Sequence, residues 1–252
     1  MYDGRGARQR RAVRALERQL DYQRAKRKGL TGHEQSLVAG CEQRTRRLRE
    51  RLCELQPIGD DARVLEVGSG AHGHIFFFGA RDGIGVDPLA DHYRTLFPEW
   101  QGRARTLAVG GEDLPFPDES FDVVISDNVV DHALDPRRIV EQIARVLAPG
   151  GLLYFTVNVH HPFYNAAARC LDAVRAIGVP IEIGPFADHT VHLTPRAAAR
   201  LFDGLPFERI SENADSGSAR QIARESPPRH PGDLLKRLFF KNAVYELIAR
   251  KT

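Results

Sequence analysis

Cysteine is scarce in this sequence: Cys41, Cys53 and Cys170 are the only three in 252 residues, and their spacing follows no pattern. Unpatterned thiols exclude a disulfide framework and a zinc knuckle and read as reduced packing residues. Long apolar runs are also missing. None reaches the roughly 18 residues of a membrane span, and the opening MYDGRGARQRRAVRALERQL lacks the apolar stretch of a secretory leader. The expectation is a cytoplasmic protein with no membrane partner. No internal repeat is visible. Net charge is small as well, at +3, but it is unevenly placed. Residues 1–56 carry fifteen Arg and Lys against seven Asp and Glu, a surplus of eight, so the remainder is net negative. A basic arm on an acidic body raises the question of nucleic acid.

What is present suits one soluble α/β domain with an appendage, since 42% of residues are hydrophobic and 27% charged. Spans 6–28 and 33–55 read as two amphipathic helices. Val13, Leu16 and Leu20 form the apolar stripe of the first, and Leu48, Leu52 and Leu55 that of the second. Thr31–Glu34 (TGHE) has the capping-box pattern at the start of the second, and Pro57 follows its end. The arginines then form a solvated outer face, so a nucleic-acid partner is not expected, although a phosphate-tracking arm remains the alternative. The division expected is a helical lid or extension over 1–56 and a catalytic domain over 57–252.

From residue 62 the pattern becomes strand and helix in alternation. Strands are predicted at 63–67, 83–87, 104–109, 121–126, 151–159, 207–212 and 243–250. Helices fall near 74–80, 91–97, 136–147, 195–202 and 234–240, and the polar, Ser/Pro-rich stretch 213–232 reads as a mobile loop. Continuous aliphatic runs separated by helices indicate a Rossmann-like α/β fold. Its mostly parallel sheet is covered on both faces, and the last strand is a candidate to enter antiparallel.

The stretch VLEVGSGAHG, Val64–Gly73, contains G-x-G-x-x-G between a strand and a helix, and Asp87 ends the second strand nineteen residues after Gly68. Such a turn lets backbone approach a nucleotide-like ligand, and the carboxylate can accept both ribose hydroxyls. These features suit NAD and S-adenosylmethionine equally. Three stretches decide: Glu66 in EVGSG, EDLPFPDESFDVVISDNVVDH from Glu112 to His132, and ARVLAPGGLLYF from Ala144 to Phe155. Together, over about residues 62–160, they strongly resemble the class I S-adenosylmethionine-dependent methyltransferases, in particular the small-molecule branch.

The resemblance implies a seven-stranded sheet with S-adenosylmethionine as cofactor, lying over the strand ends. It assigns Glu66 to the methionine ammonium; Gly68, Ser69 and Gly70 to close backbone approach; Asp87 to the ribose; Pro88 and Leu89 to the adenine face. Glu112 and Asp113 border the adenine amino group, while Asp127 and Asn128 lie along the methionine end. The chain departs from the pattern at Gly110-Gly111, where an Asp/Asn-Ala is common, so a polar adenine contact is in doubt. Only about ten residues separate Gly73 from the second strand. The helix between them must be short, with Phe76, Phe77 and Phe78 packing under the N-terminal helices.

Methyl transfer from a sulfonium needs alignment, and a hydroxyl acceptor also needs a base, for which histidine is suited. His161 and His160, at the end of the fifth predicted strand, and His189 are the candidate catalytic residues. His132, His192, Tyr164 and Tyr22 are candidates for the acceptor pocket. H-x-x-H at His189 and His192 is not helical zinc spacing, so no metal is expected. SDNVV stands where base-methylating enzymes often carry Asn/Asp-Pro-Pro-aromatic. The expected acceptor is therefore a small molecule, methylated at oxygen, such as a sugar or secondary metabolite. The alternatives are an RNA or protein methyltransferase and a non-catalytic cofactor-binding partner protein. A homo-oligomer stays open.

Overall fold

The computed structural model describes residues 4–162, 191–215, 217, 221 and 243–252. Two helices come first, α1 (Gly4–Gly29) and α2 (Glu34–Leu55). The stripe expected on α2 is buried at Leu48 and Leu52, joined by Cys41 and Thr45. That on α1 is displaced toward its C-terminal half: Leu20 and Gln23 are buried, whereas Val13 is exposed. The capping box does not form. It needs its hydroxyl at the N-cap three residues before the acid, but the helix begins at Glu34 itself, with His33 as N-cap. Glu34 Oε2 instead accepts the Gly32 N–H at 2.9 Å.

The remaining elements build one sheet. Its strands are β1 (Val64–Val67), β2 (Ile84–Val86), β3 (Arg105–Leu107), β4 (Phe121–Asp127), β5 (Leu147–Val159), β6 (Phe207–Ala214) and β7 (Ala243–Lys251). Their spatial order is β3-β2-β1-β4-β5-β7-β6. The first five run parallel, and β7 pairs antiparallel with both β5 and β6. β5 starts four residues earlier than expected, and β6 runs two residues further. The helix expected at 74–80 is a single 3-10 turn, His74–Phe76, because so short a connection leaves no room for more. Helices α3 (Ala90–Leu96), α4 (Pro98–Gln101) and α5 (Pro136–Val146) follow in the connections, as does a short helix at Pro195–Ala199. Proline at the first turn and a cap fix two of these starts: Arg138 N donates to Asp135 Oδ1 at 3.1 Å, and Ala197 N to Thr194 Oγ1 at 3.2 Å. Cys170, most of 213–232 and the helix expected at 234–240 lie outside the described residues.

Strand alternation splits the core in two. Leu65, Val67, Val124 and Phe155 face α5, where Ile139, Val140 and Ile143 meet them. Val64, Val123, Ile125 and Leu152 face the other way, into a cluster with Leu20, Leu48, Leu52, Phe76, Phe78, Phe97 and Trp100. The N-terminal helices thus cover one face of the sheet. The same period of two turns Glu66, Asp127, Tyr154, Thr156 and Glu246 toward α2. Among the described residues no helix is long and apolar enough to cross a membrane.

Candidate functional site

Strand order reverses between β1 and β4, and a cavity of about 550 Å³ opens at their C-terminal ends, where open α/β sheets bind ligands. The glycine turn, Asp87–Leu89, Glu112, Asp127–Val129 and His132 form its walls. Ala15, Leu16, Gln19 and Gln23 of α1 and Arg44 of α2 close it.

The turn has its shape for two reasons. Gly68 and Gly70 take φ of +73° and +54°, and a Cβ on Gly68 would lie 2.3 Å from Val129 Cγ2, so neither position suits a side chain. Val86 O accepts both Gly68 N–H and Ser69 N–H, at 2.7 and 3.0 Å, tying the turn to β2. Asp87 completes the tie: its two oxygens accept Gly70 N–H at 3.0 Å and Leu89 N–H at 2.8 Å. Burial pushes its carboxyl above the usual range, against the pull of those two bonds.

Beneath the turn lies a buried polar network. Glu66 is 1% exposed and accepts His74 N–H at 3.0 Å on one oxygen and Ile75 N–H at 2.8 Å on the other. Burial drives its carboxyl up to about 7 despite nearby His74 and both N–H donors. The His74 ring joins Thr45 Oγ1 of α2 at 3.0 Å to Asp127 Oδ2 at 3.2 Å. Asp127 also accepts from Thr156 Oγ1 at 2.5 Å and Arg44 at 3.4 Å. Burial raises the Asp127 carboxyl, but the bonds from His74 and Thr156 outweigh it and hold it below its ordinary value. Arg51 of α2 grips Glu246 at 2.7 and 3.1 Å, and Tyr154 donates to the same carboxylate at 3.1 Å. Helix α2 is therefore fastened to the floor of the site by polar bonds as well as by leucines.

Of the residues singled out in the sequence, Glu66, Gly68, Ser69, Gly70, Asp87, Pro88, Leu89, Glu112, Asp127, Asn128 and His132 all line this one cavity. Glu112 also accepts Leu134 N–H at 3.0 Å, and Asn128 holds φ +61° just past β4. Others stand apart. Asp113 is exposed and outside the wall. Tyr22 is 61% exposed, because Gln23, one residue and about 100° further round the helix, takes the inward place. His160 is buried at the end of β5, its ring centroid 5.1 Å from that of His192, and its backbone N–H donates to Leu193 O at 2.7 Å. Neither they nor half-buried His161 reach the wall. His189 and Tyr164 lie outside the described residues. Sequence reasoning missed Gln23, Arg44, His72 and His74. His72 stands at a variable position inside the fingerprint itself, and attention to the glycines passed over it.

Residues 65–155 match the protein family described as Methyltransferase domain. An uncharacterized methyltransferase of Mycobacterium sp. (strain JLS) is 36% identical over 100 residues, 38% of each chain. Another, from Mycobacterium tuberculosis (strain H37Rv), is 30% identical over 123 residues, 46% of this chain and 40% of its own length. The match spans only about two fifths of these relatives. Among solved structures, geranyl diphosphate C-methyltransferase from Streptomyces coelicolor, in complex with Mg2+, geranyl diphosphate and S-adenosyl-L-homocysteine, superposes with a TM-score of 0.59. It is 14% identical over 87% of this chain and 84% of that one. The [4+2]-cyclase SpnF superposes at 0.54, with 20% identity over 81% and 80%. At such identities the likeness establishes the fold.

Proposed function

We propose that this protein is an S-adenosylmethionine-dependent methyltransferase acting on a small molecule, with the oxygen of a sugar or secondary metabolite as acceptor. One observation carries it: the left-handed glycine turn and the Asp87 carboxylate face a single cavity at the switch point of the sheet. The residues fit the cofactor. Asp87 would accept the ribose hydroxyls, Leu89 would pack on the adenine, and the bare turn would admit the amino-acid portion. When bound, S-adenosylmethionine supplies an electrophilic methyl group on a sulfonium.

The protein's own part is to align the acceptor, exclude water beneath α1, and take up the proton that a hydroxyl loses. To that last task we assign His132, given above as an acceptor-pocket candidate. It lines the cavity, and its Nε2 lies 3.8 Å from the buried carboxylate of Asp131. His161, near the same strand edge, is the second choice. The basic helices are less suited to tracking phosphates than their sequence suggests, since Arg27, Arg44, Arg49 and Arg51 pair with Glu99, Asp127, Asp60 and Glu246. Free Cys41 and Cys53 suit a reducing compartment, so the cytoplasm is the proposed location.

Titration calorimetry with S-adenosylhomocysteine tests the cofactor. Binding is expected, and Asp87→Ala should weaken it by about 1–3 kcal/mol. Retention of a pyridine nucleotide with indifference to S-adenosylhomocysteine defeats the proposal. With an acceptor found by a labelled-methyl screen, His132→Ala should slow turnover about 10²- to 10⁴-fold and leave cofactor affinity unchanged.

A further inference from the structure

We propose that His72 and Gln23 hold the cofactor's zwitterionic amino-acid tail, an inference that rests on the cofactor assignment above. The acid that the motif offers for the ammonium is 1% exposed, and each of its oxygens keeps one free lone pair beside the backbone N–H it accepts from the turn that follows, so Glu66 leaves room for further partners of the tail. Asp127 is engaged by Thr156, His74 and Arg44. By contrast, both ring nitrogens of His72 are buried and have no hydrogen-bond partner among the described residues, and neither has the buried Oε1 of Gln23. Both residues line the cavity.

Buried polar atoms without partners are costly and call for an explanation. Here both belong to the lining of one cavity. Lys26, about one turn along α1 from Gln23, acts electrostatically on the His72 ring, as does Arg44, which donates to His72 O at 2.8 Å. The ring is wedged against Phe97 and Trp100, with centroids 4.9 and 5.3 Å away, so its direction is fixed. Burial first, then Lys26 and Arg44, push the imidazole down to about 4. At neutral pH it offers one donor and one acceptor. With the amide oxygen of Gln23 this makes two acceptors and one donor. An α-ammonium matches the acceptors and an α-carboxylate the donor, and the two cations nearby favour that carboxylate.

Two probes decide. S-adenosylhomocysteine carries the tail; 5′-methylthioadenosine has the same nucleoside and thioether without it. By calorimetry, His72→Phe and Gln23→Leu should each weaken S-adenosylhomocysteine about 10- to 100-fold, as for a lost bond to a charged group, and change methylthioadenosine less than about twofold. Should His72→Phe fail to fold, Gln23→Leu, on a separate element, decides alone. Unchanged affinity for S-adenosylhomocysteine overturns the assignment, and so does an equal loss for both probes, which marks a merely structural role. If neither probe binds the unaltered protein, the cofactor assignment fails first and takes this one with it.

Discussion

Two buried groups respond to pH in opposite directions. Glu66 has its carboxyl raised from 4.5 to about 7, so the folded state holds a proton that the unfolded chain releases between those values. Its contribution is present below pH 4.5 and is lost as pH rises through 7. His72 is lowered from 6.5 to about 4; its contribution is present above 6.5 and is lost as pH falls through 4. In the shared window the two slopes oppose each other. Glu66→Gln removes the first, so its stability should climb more steeply than wild type from pH 4.5 to 7, by on the order of 3 kcal/mol over the window. The amide leaves one backbone N–H of the turn without an acceptor, at a cost of about 1–3 kcal/mol at every pH. Denaturant melts of both proteins across that range check it; parallel curves would refute the sign. The glycines and Asp87 are readable in the sequence because their roles belong to the backbone and to one strand end. His72 is not, since its value arises from Phe97, Trp100, Lys26 and Arg44, none of which is near it in sequence.

At the scale of elements, the turn after β1 and the segment after β4 constrain one another. Gly68→Ala meets two obstacles, a φ of +73° and the methyls of Val129. Strain at φ accounts for about 1–2 kcal/mol and overpacking for about 1–3 more. Val129→Ala removes the methyls but not the strain. The glycine substitution should therefore be milder in that background by at least about 1 kcal/mol, a coupling that a double-mutant cycle of unfolding free energies measures. Strands are legible because buried parallel strands are continuous aliphatic runs. Helix faces are less so: Val13 and Tyr22 are exposed because the docked arc of α1 is chosen by its neighbours. The capping box at Thr31 misleads because the pattern does not state where the first helical residue falls.

For the molecule as a whole, α1 and α2 contribute unequally. Leu48 and Leu52 of α2 share a core with Phe76, Phe78 and Tyr93, and Arg51 binds the sheet through Glu246. Deleting residues 1–56 should give aggregated protein, whereas deleting 1–29 should leave a folded chain with a cooperative melt and weakened affinity for S-adenosylhomocysteine. Circular dichroism and calorimetry distinguish the two, and a molten 1–29 deletion would show α1 to be integral to the core. The basic arm read as an appendage is half wall and half foundation, which charge counting cannot reveal.

Helix α1 supplies Ala15, Leu16, Gln19 and Gln23 to the cavity yet anchors few large apolar side chains of its own. Elements with few buried contacts open at low free-energy cost. Lifting this one would bare the crevice while the sheet stays closed, and on the proposed function the exchange of a spent ligand for a fresh one should then follow how often the helix peels away.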